Sequence, residues 1–295
     1  LFALVSADSA GSTPRAAALR ALDTLKDPRL AEAVKLATGM KSATMRAAAL
    51  PIASRLSPGE SIAALTAVIA NGSVEEQKMA FRALGSLPGP AADALFVDQL
   101  TKLAAGTIKP ALQLELLTAA ATRRDPAVQK LLADRDAALA KDPDPLAPFR
   151  VALQGGSRLR GERLFNNQPA MACVRCHRVG NESGGEAGPN LAGIGSRQPR
   201  EYLLESVVKP NAKIAPGFDT VVVTLKSGGV AAGTVASETA DVLSLRDTEN
   251  KLHEVKKSDI AKREGAPSSM PEIFGALLTK SELRDVIEYL ASLRD

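Results

Sequence analysis

Cysteine occurs only twice in this chain of 295 residues, and both copies fall within one five-residue stretch, Cys173-Val174-Arg175-Cys176-His177. Two thiols three residues apart lie on one face of a helical turn, so both can reach the same edge of a flat ligand. The histidine follows at once and brings an imidazole under that ligand. This is the C-x-x-C-H pattern of c-type haem attachment, in which the thiols add to two vinyl groups and the imidazole binds iron. Half of a zinc site or a chance match is the alternative. Structural zinc wants four ligands, and the chain has no third cysteine and one other histidine, His253. With both thiols occupied, no disulfide is possible, and packing alone must hold the rest of the fold.

The material for that packing is ordinary: 45% hydrophobic and 24% charged residues suit globular domains, and the length allows two of them. The net charge is +4 with no basic stripe in either half, which excludes a nucleic-acid binder. No stretch is apolar over enough residues to span a membrane, and residues 1–5 are far too short. The chain opens Leu1-Phe2-Ala3-Leu4, without a methionine or a basic leader, and so reads as processed or as a piece of something longer. Haems of the c type are fitted outside the cytoplasmic membrane, so the expected location is periplasmic or otherwise exported.

Residues 14–140 repeat. Arg15-Ala16-Ala17-Ala18-Leu19 recurs as Arg46-Ala47-Ala48-Ala49-Leu50, 31 residues later, and a further 31 bring Ala80-Phe81 into register. A looser fourth copy runs from Leu112 to Ala120. The second helix of each pair is expected to start at Asp27-Pro28, Ser57-Pro58, Gly89-Pro90 and Asp125-Pro126, where a capping residue precedes a proline. Apolar residues at three- and four-residue steps, such as Leu19, Leu22 and Leu25, complete the helical pattern. Met40, Met45 and Met79 read as core filler. The expectation is an α-solenoid of HEAT type over 1–146, serving as a packing platform or presenting a surface to a partner. Lys141-Asp142-Pro143-Asp144-Pro145-Leu146-Ala147-Pro148 cannot continue a helix and marks the boundary with a second domain at 147–295.

In that second half, Ser157 is a plausible helix cap, and Gly161, Leu164 and Phe165 lie on the helix before the cysteines. Short β-branched runs at 221–225, 230–235, 242–245 and 252–255, with turns at Ser227-Gly228-Gly229 and Asp247-Thr248-Glu249-Asn250, predict a small antiparallel sheet or SH3-like barrel over 217–263. His253 would lie in its last strand, badly placed to bind iron. A capping box, Thr279 with Glu282, opens a final helix whose apolar face is Leu283, Val286, Ile287 and Leu290.

Gly161 and Phe165, the C-x-x-C-H stretch, Gly188-Pro189-Asn190-Leu191, and Met270 just before the last helix together resemble a class I cytochrome c. The resemblance implies a mainly α fold in which Gly161 and Phe165 cross the last helix near Tyr289. It also implies that the Pro189 carbonyl orients His177, that Leu191 walls the haem, and that Met270 is the sixth ligand. Met171 is the rival sulfur, badly placed so close to Cys173. The β insert and the Ser-x-Met-Pro sequence at 268–271 narrow the likeness to the haem-binding domain of large Planctomycetes and Verrucomicrobia proteins, where it follows a dehydrogenase-like β-propeller and helical repeats. One covalent haem c through Cys173 and Cys176, with iron held by His177 and Met270, would make the chain an electron carrier and not itself an enzyme. Its partners would be an upstream dehydrogenase domain and a downstream cytochrome or respiratory complex. Two other readings stand beside it: a peroxidase-type haem enzyme with an open or labile distal site, and an interaction scaffold with a structural haem. No acid–base pair or nucleophile suggests a second active site.

Overall fold

Alanine and leucine at helical spacing build the first part of the chain from nine helices among the described residues, which are 1–168, 173–182 and 184–294 of a computed structural model. The chain divides into two units, Leu1–Pro143 and Asp144–Asp295.

The first unit comprises α1 (Phe2–Ser6), α2 (Ser12–Thr24), α3 (Leu30–Thr38), α4 (Ala43–Leu56), α5 (Pro58–Asn71), α6 (Val74–Ser86), α7 (Pro90–Ala104), α8 (Pro110–Ala120) and α9 (Pro126–Ala140). Alternate helices stack: α2 packs on α4, α4 on α6 and α6 on α8, while α7 packs on α9. Two apolar clusters result, one centred on Leu19, Leu22 and Met45, the other on Leu65, Phe81, Leu84, Phe96 and Leu116. Ion pairs join residues about one repeat apart: Arg55 with Asp23, Arg46 with Glu76 at 2.6 Å, Arg82 with Glu115 at 3.3 Å and Arg123 with Asp93 at 2.7 Å. Pro58, Pro90 and Pro126 are the first residues of their helices, where a missing N–H costs nothing. Of the residues preceding them, only Asp125 caps with its side chain, accepting from the Ala127 and Val128 amides. Pro28 departs from the expectation. Asp27 spends its carboxylate on the Arg29 amide in a turn, and α3 starts only at Leu30.

The second unit begins earlier than the proline pattern implies. Asp144 accepts from the Leu146 amide and the Arg150 guanidinium, and Ala147–Ala152 folds as a 3-10 turn that sends Phe149 and Ala152 into the core. The unit then runs through α10 (Arg158–Asn167), α11 (Cys173–Cys176), α12 (Ile194–Arg197), α13 (Arg200–Val208), a five-stranded sheet, α14 (Phe274–Leu277) and α15 (Lys280–Ser292). Its core rests on α15, whose buried Leu283, Val286, Ile287 and Leu290 face α10, α13 and the 3-10 turn. Thr279 and Glu282 close both halves of the capping box.

The strands are β1 (Thr220–Leu225), β2 (Val230–Glu238), β3 (Val242–Arg246), β4 (Leu252–Lys256) and β5 (Ile260–Ala266), antiparallel in the order β4-β3-β2-β1-β5. Val223, Leu243 and Leu245 are its buried centre. The insert boundary expected at 263 cuts through β5. That strand carries no apolar alternation, because Lys262, Arg263 and Glu264 fill its middle; backbone pairing with β1 and one apolar contact, Ile260 beside Leu225, hold it. His253 therefore lies in the fourth strand, exposed, with its ring 2.6 Å from the Asp247 carboxylate.

Candidate haem site

Ser157 caps α10 through the Arg160 amide, and the cap is locked from the far end of the chain. Asp285 on α15 accepts from the Ser157 amide at 2.7 Å and from Arg160 at 2.6 and 3.1 Å. The two helices cross with their backbones in contact. A Cβ on Gly161 would run into the Asp285 carbonyl oxygen, so only glycine fits there. One turn on, Phe165 meets Tyr289 with ring centroids 5.4 Å apart. This crossing places the end of α10 immediately before the attachment motif.

Cys173 and Cys176 are the ends of the single turn α11, and the His177 amide donates to the Cys173 carbonyl at 2.9 Å. His177 lies 3.0 Å through Nδ1 from the Pro189 carbonyl oxygen. A carbonyl only accepts, so Nδ1 carries the proton and Nε2 keeps its lone pair for a metal. Gly188 lets the loop press on that ring: a Cβ there would sit 2.5 Å from the imidazole Cε1. Burial holds the imidazole neutral by pushing its pKa down, against a smaller opposing effect of the Pro189 carbonyl. Burial likewise pushes the Cys173 thiol up to about 11 and raises that of Cys176, so both remain protonated in the folded chain.

Cys173, Cys176, His177, Pro189, Leu191, Met270 and Phe165 all line one cavity of about 620 Å³. Tyr202, Leu203 and Val207 of α13 line it as well, with Phe218, Ile273 and Phe274. Met171 lies outside the described residues, and His253 does not line the cavity. The residues fit a haem. The walls are apolar, two thiols and an oriented imidazole share one side, and the charged groups on the described lining are Arg175, Arg197 and Lys213, with no carboxylate. Such a lining suits a flat apolar ligand bearing carboxylates. When bound, the haem would be held by Cys173, Cys176 and His177.

Sequence reasoning missed the groups that hold these loops to one another. The Asn190 side chain exchanges hydrogen bonds with the backbone of Gly180 at 2.9 and 3.0 Å. Ser269 meets Thr220 at 2.9 Å and Thr234 at 3.4 Å, and Asn250 bonds to three backbone groups around the motif. An asparagine in a turn quartet was visible; its reach across the chain was not.

No curated protein matches the chain. Residues 159–242 match the family model described as cytochrome c, a span that takes in all but the first residue of α10, the attachment motif and the Pro189 loop but stops short of Met270. That match supports covalently bound c-type haem and haem-based electron transfer for this part of the second unit.

Proposed function

We propose that the second unit is a one-electron carrier with one haem c, joined through Cys173 and Cys176 and ligated by His177 and Met270. The observation that carries the reading is the His177–Pro189 hydrogen bond inside a cavity that both cysteines and Met270 also line. Bound there, the haem supplies reversible one-electron chemistry at iron. The chain's own part is to hold that site still and dry. Pro189 fixes the imidazole tautomer and strengthens it as a donor. Met270 offers a thioether, which favours a raised potential; its amide is tied to Ser268 Oγ at 3.2 Å, and the Ser268 amide to Asn211 at 2.8 Å. Leu203, Val207, Phe274 and Leu290 give the cavity an apolar wall that would keep water from a bound haem.

Electrons would arrive from a dehydrogenase-type module and leave to another cytochrome or a respiratory complex, in an exported setting. Support for this is the likeness to haem-binding domains found in such company. The first unit, read as HEAT-like repeats, would be a packing platform or spacer; its stacked alternate helices and repeat-spaced ion pairs support that.

The test is co-expression of the chain with a cytochrome maturation system. The purified protein should carry the mass of one haem and, when oxidised, a far-red methionine-to-iron band. Met270→Ala should keep the added mass, lose the band and show a lower potential. A colourless product, or a band unaffected by the substitution, would overturn the reading or its methionine half respectively.

A further inference from the structure

No strand of the sheet holds a residue of the ligand set, yet the sheet touches the segments on either side of the cavity. The proximal contact is made by the β3–β4 turn. Asn250 sits there with φ +64°, a left-handed conformation that asparagine tolerates. Its Oδ1 accepts from the Glu186 amide at 2.7 Å and the Ala187 amide at 3.1 Å, and its Nδ2 donates to the Arg175 carbonyl at 2.6 Å. Two partners are donors and one is an acceptor, so a single orientation of the amide satisfies all three. Arg175 lies between the two cysteines, and Ala187 lies two residues before Pro189.

One side chain thus joins the attachment turn to the loop that orients His177. The seam continues in backbone: Gly185 donates to Val174 at 2.9 Å and Gly188 to Cys176 at 2.8 Å. The turn is itself anchored. Arg246 pairs with Glu186 at 3.0 Å and donates to the Asn250 carbonyl at 3.3 Å, while Glu186 also meets Arg178 at 3.3 Å. On the other side, Thr220 and Thr234 are cross-strand partners, and Ser269, next to Met270, lies within reach of both hydroxyls. Thr234 also donates to the Ala187 carbonyl at 3.3 Å.

We propose that the sheet is a bracket for the iron-ligand loops and that Asn250 is its positioning residue, holding the 184–189 loop against the attachment turn so that Pro189 stays on His177. The histidine half of this depends only on His177 being a ligand; the Ser269 half rests on Met270 being one. Because the hydrogen bond at Nδ1 tunes the basicity of the ligand, loosening it changes the reduction potential.

The experiment uses the matured, haem-loaded full chain. Asn250→Gly keeps the left-handed turn and removes the amide. Its Glu186 and Ala187 amides should exchange with solvent about tenfold faster or more, and its midpoint potential should move while the haem content stays at one. Lys251→Gly, in the same turn, controls for a merely floppy hairpin and should leave both readouts at wild type. Asn250→Gly behaving like wild type, or like Lys251→Gly, would overturn the proposal. If Asn250→Gly yields no folded protein, Asn250→Asp decides. It replaces the Nδ2 donor by an oxygen that repels the Arg175 carbonyl, so a moved midpoint potential with haem content still at one supports the bracket and a wild-type potential refutes it. Met270→Ala, read by its far-red band, judges the sixth ligand separately, so the two claims fail independently.

Discussion

The two units solve the same problem, a fold without disulfides, by opposite routes. In the first, each helix leans on helices near it in sequence, and the ion pairs that tie the stack span about one repeat, as with Arg46 and Glu76. In the second, the decisive contacts join distant segments: Arg160 to Asp285, Arg200 to Glu288, Asn250 to Arg175. A stack of helices that are neighbours in sequence spreads its stability over many similar interfaces. The second unit concentrates it on one helix crossing around a cavity. Damage should therefore stay local in the first unit and spread in the second.

The strongest way to break this contrast is Gly161→Val. With the Asp285 backbone already against Gly161, the crossing must open, costing about 4 kcal/mol. Hydrogen exchange resolved by peptide should rise throughout residues 144–294 and stay unchanged in the first unit. Spread of the effect into α2 to α8 would show that the units are not separately cooperative.

Acid should act in the opposite place. The Arg46 guanidinium, helped by Ser73, holds the Glu76 carboxyl at about 2, down from 4.5. A depressed carboxyl stabilises the fold fully above its unfolded pKa and loses that contribution as pH falls towards the folded one. Between pH 5 and pH 2 the first unit should lose about 2 kcal/mol from this group, allowing for the partial exposure of Arg46. Glu76→Gln should flatten that part of the pH profile in urea titrations of the full chain. An unchanged slope would remove the pair from the account.

The mildest test sharpens the second unit. Thr279→Ala removes the side-chain cap that accepts from the Glu282 amide at 3.2 Å, and should cost about 1 kcal/mol. The thermal midpoint should fall slightly, with the haem spectrum unaltered.

Some elements were legible because their signals are local. Helix α15 was readable from its capping box, and four strands from β-branched runs. Strand β5 was not, because its residues are mostly exposed, three of them are charged, and it exists through pairing with β1. Pro28 misled because a proline after an aspartate serves a turn as readily as a helix start. Seven of the residues that line the cavity, Cys173, Cys176, His177, Pro189, Leu191, Met270 and Phe165, were nameable from the motif and the family likeness; the α13 wall was not. Asn190, Asn250 and Ser269 stood in visible motifs, but nothing along the chain announced the partners through which they hold the loops beside the cavity.

The amino-acid sequence by itself determined the chemistry: two thiols and an imidazole on one turn, an alanine-rich repeat, and a helix stripe with its cap. Those depend on spacing along the chain, which is all a sequence displays. Only the tertiary structure decided that a turn in a β-sheet would clasp the Arg175 carbonyl, 75 residues away, and the Glu186 and Ala187 amides beside it. Such bonds use backbone groups that every residue possesses, so their partners are chosen by packing and not by residue type.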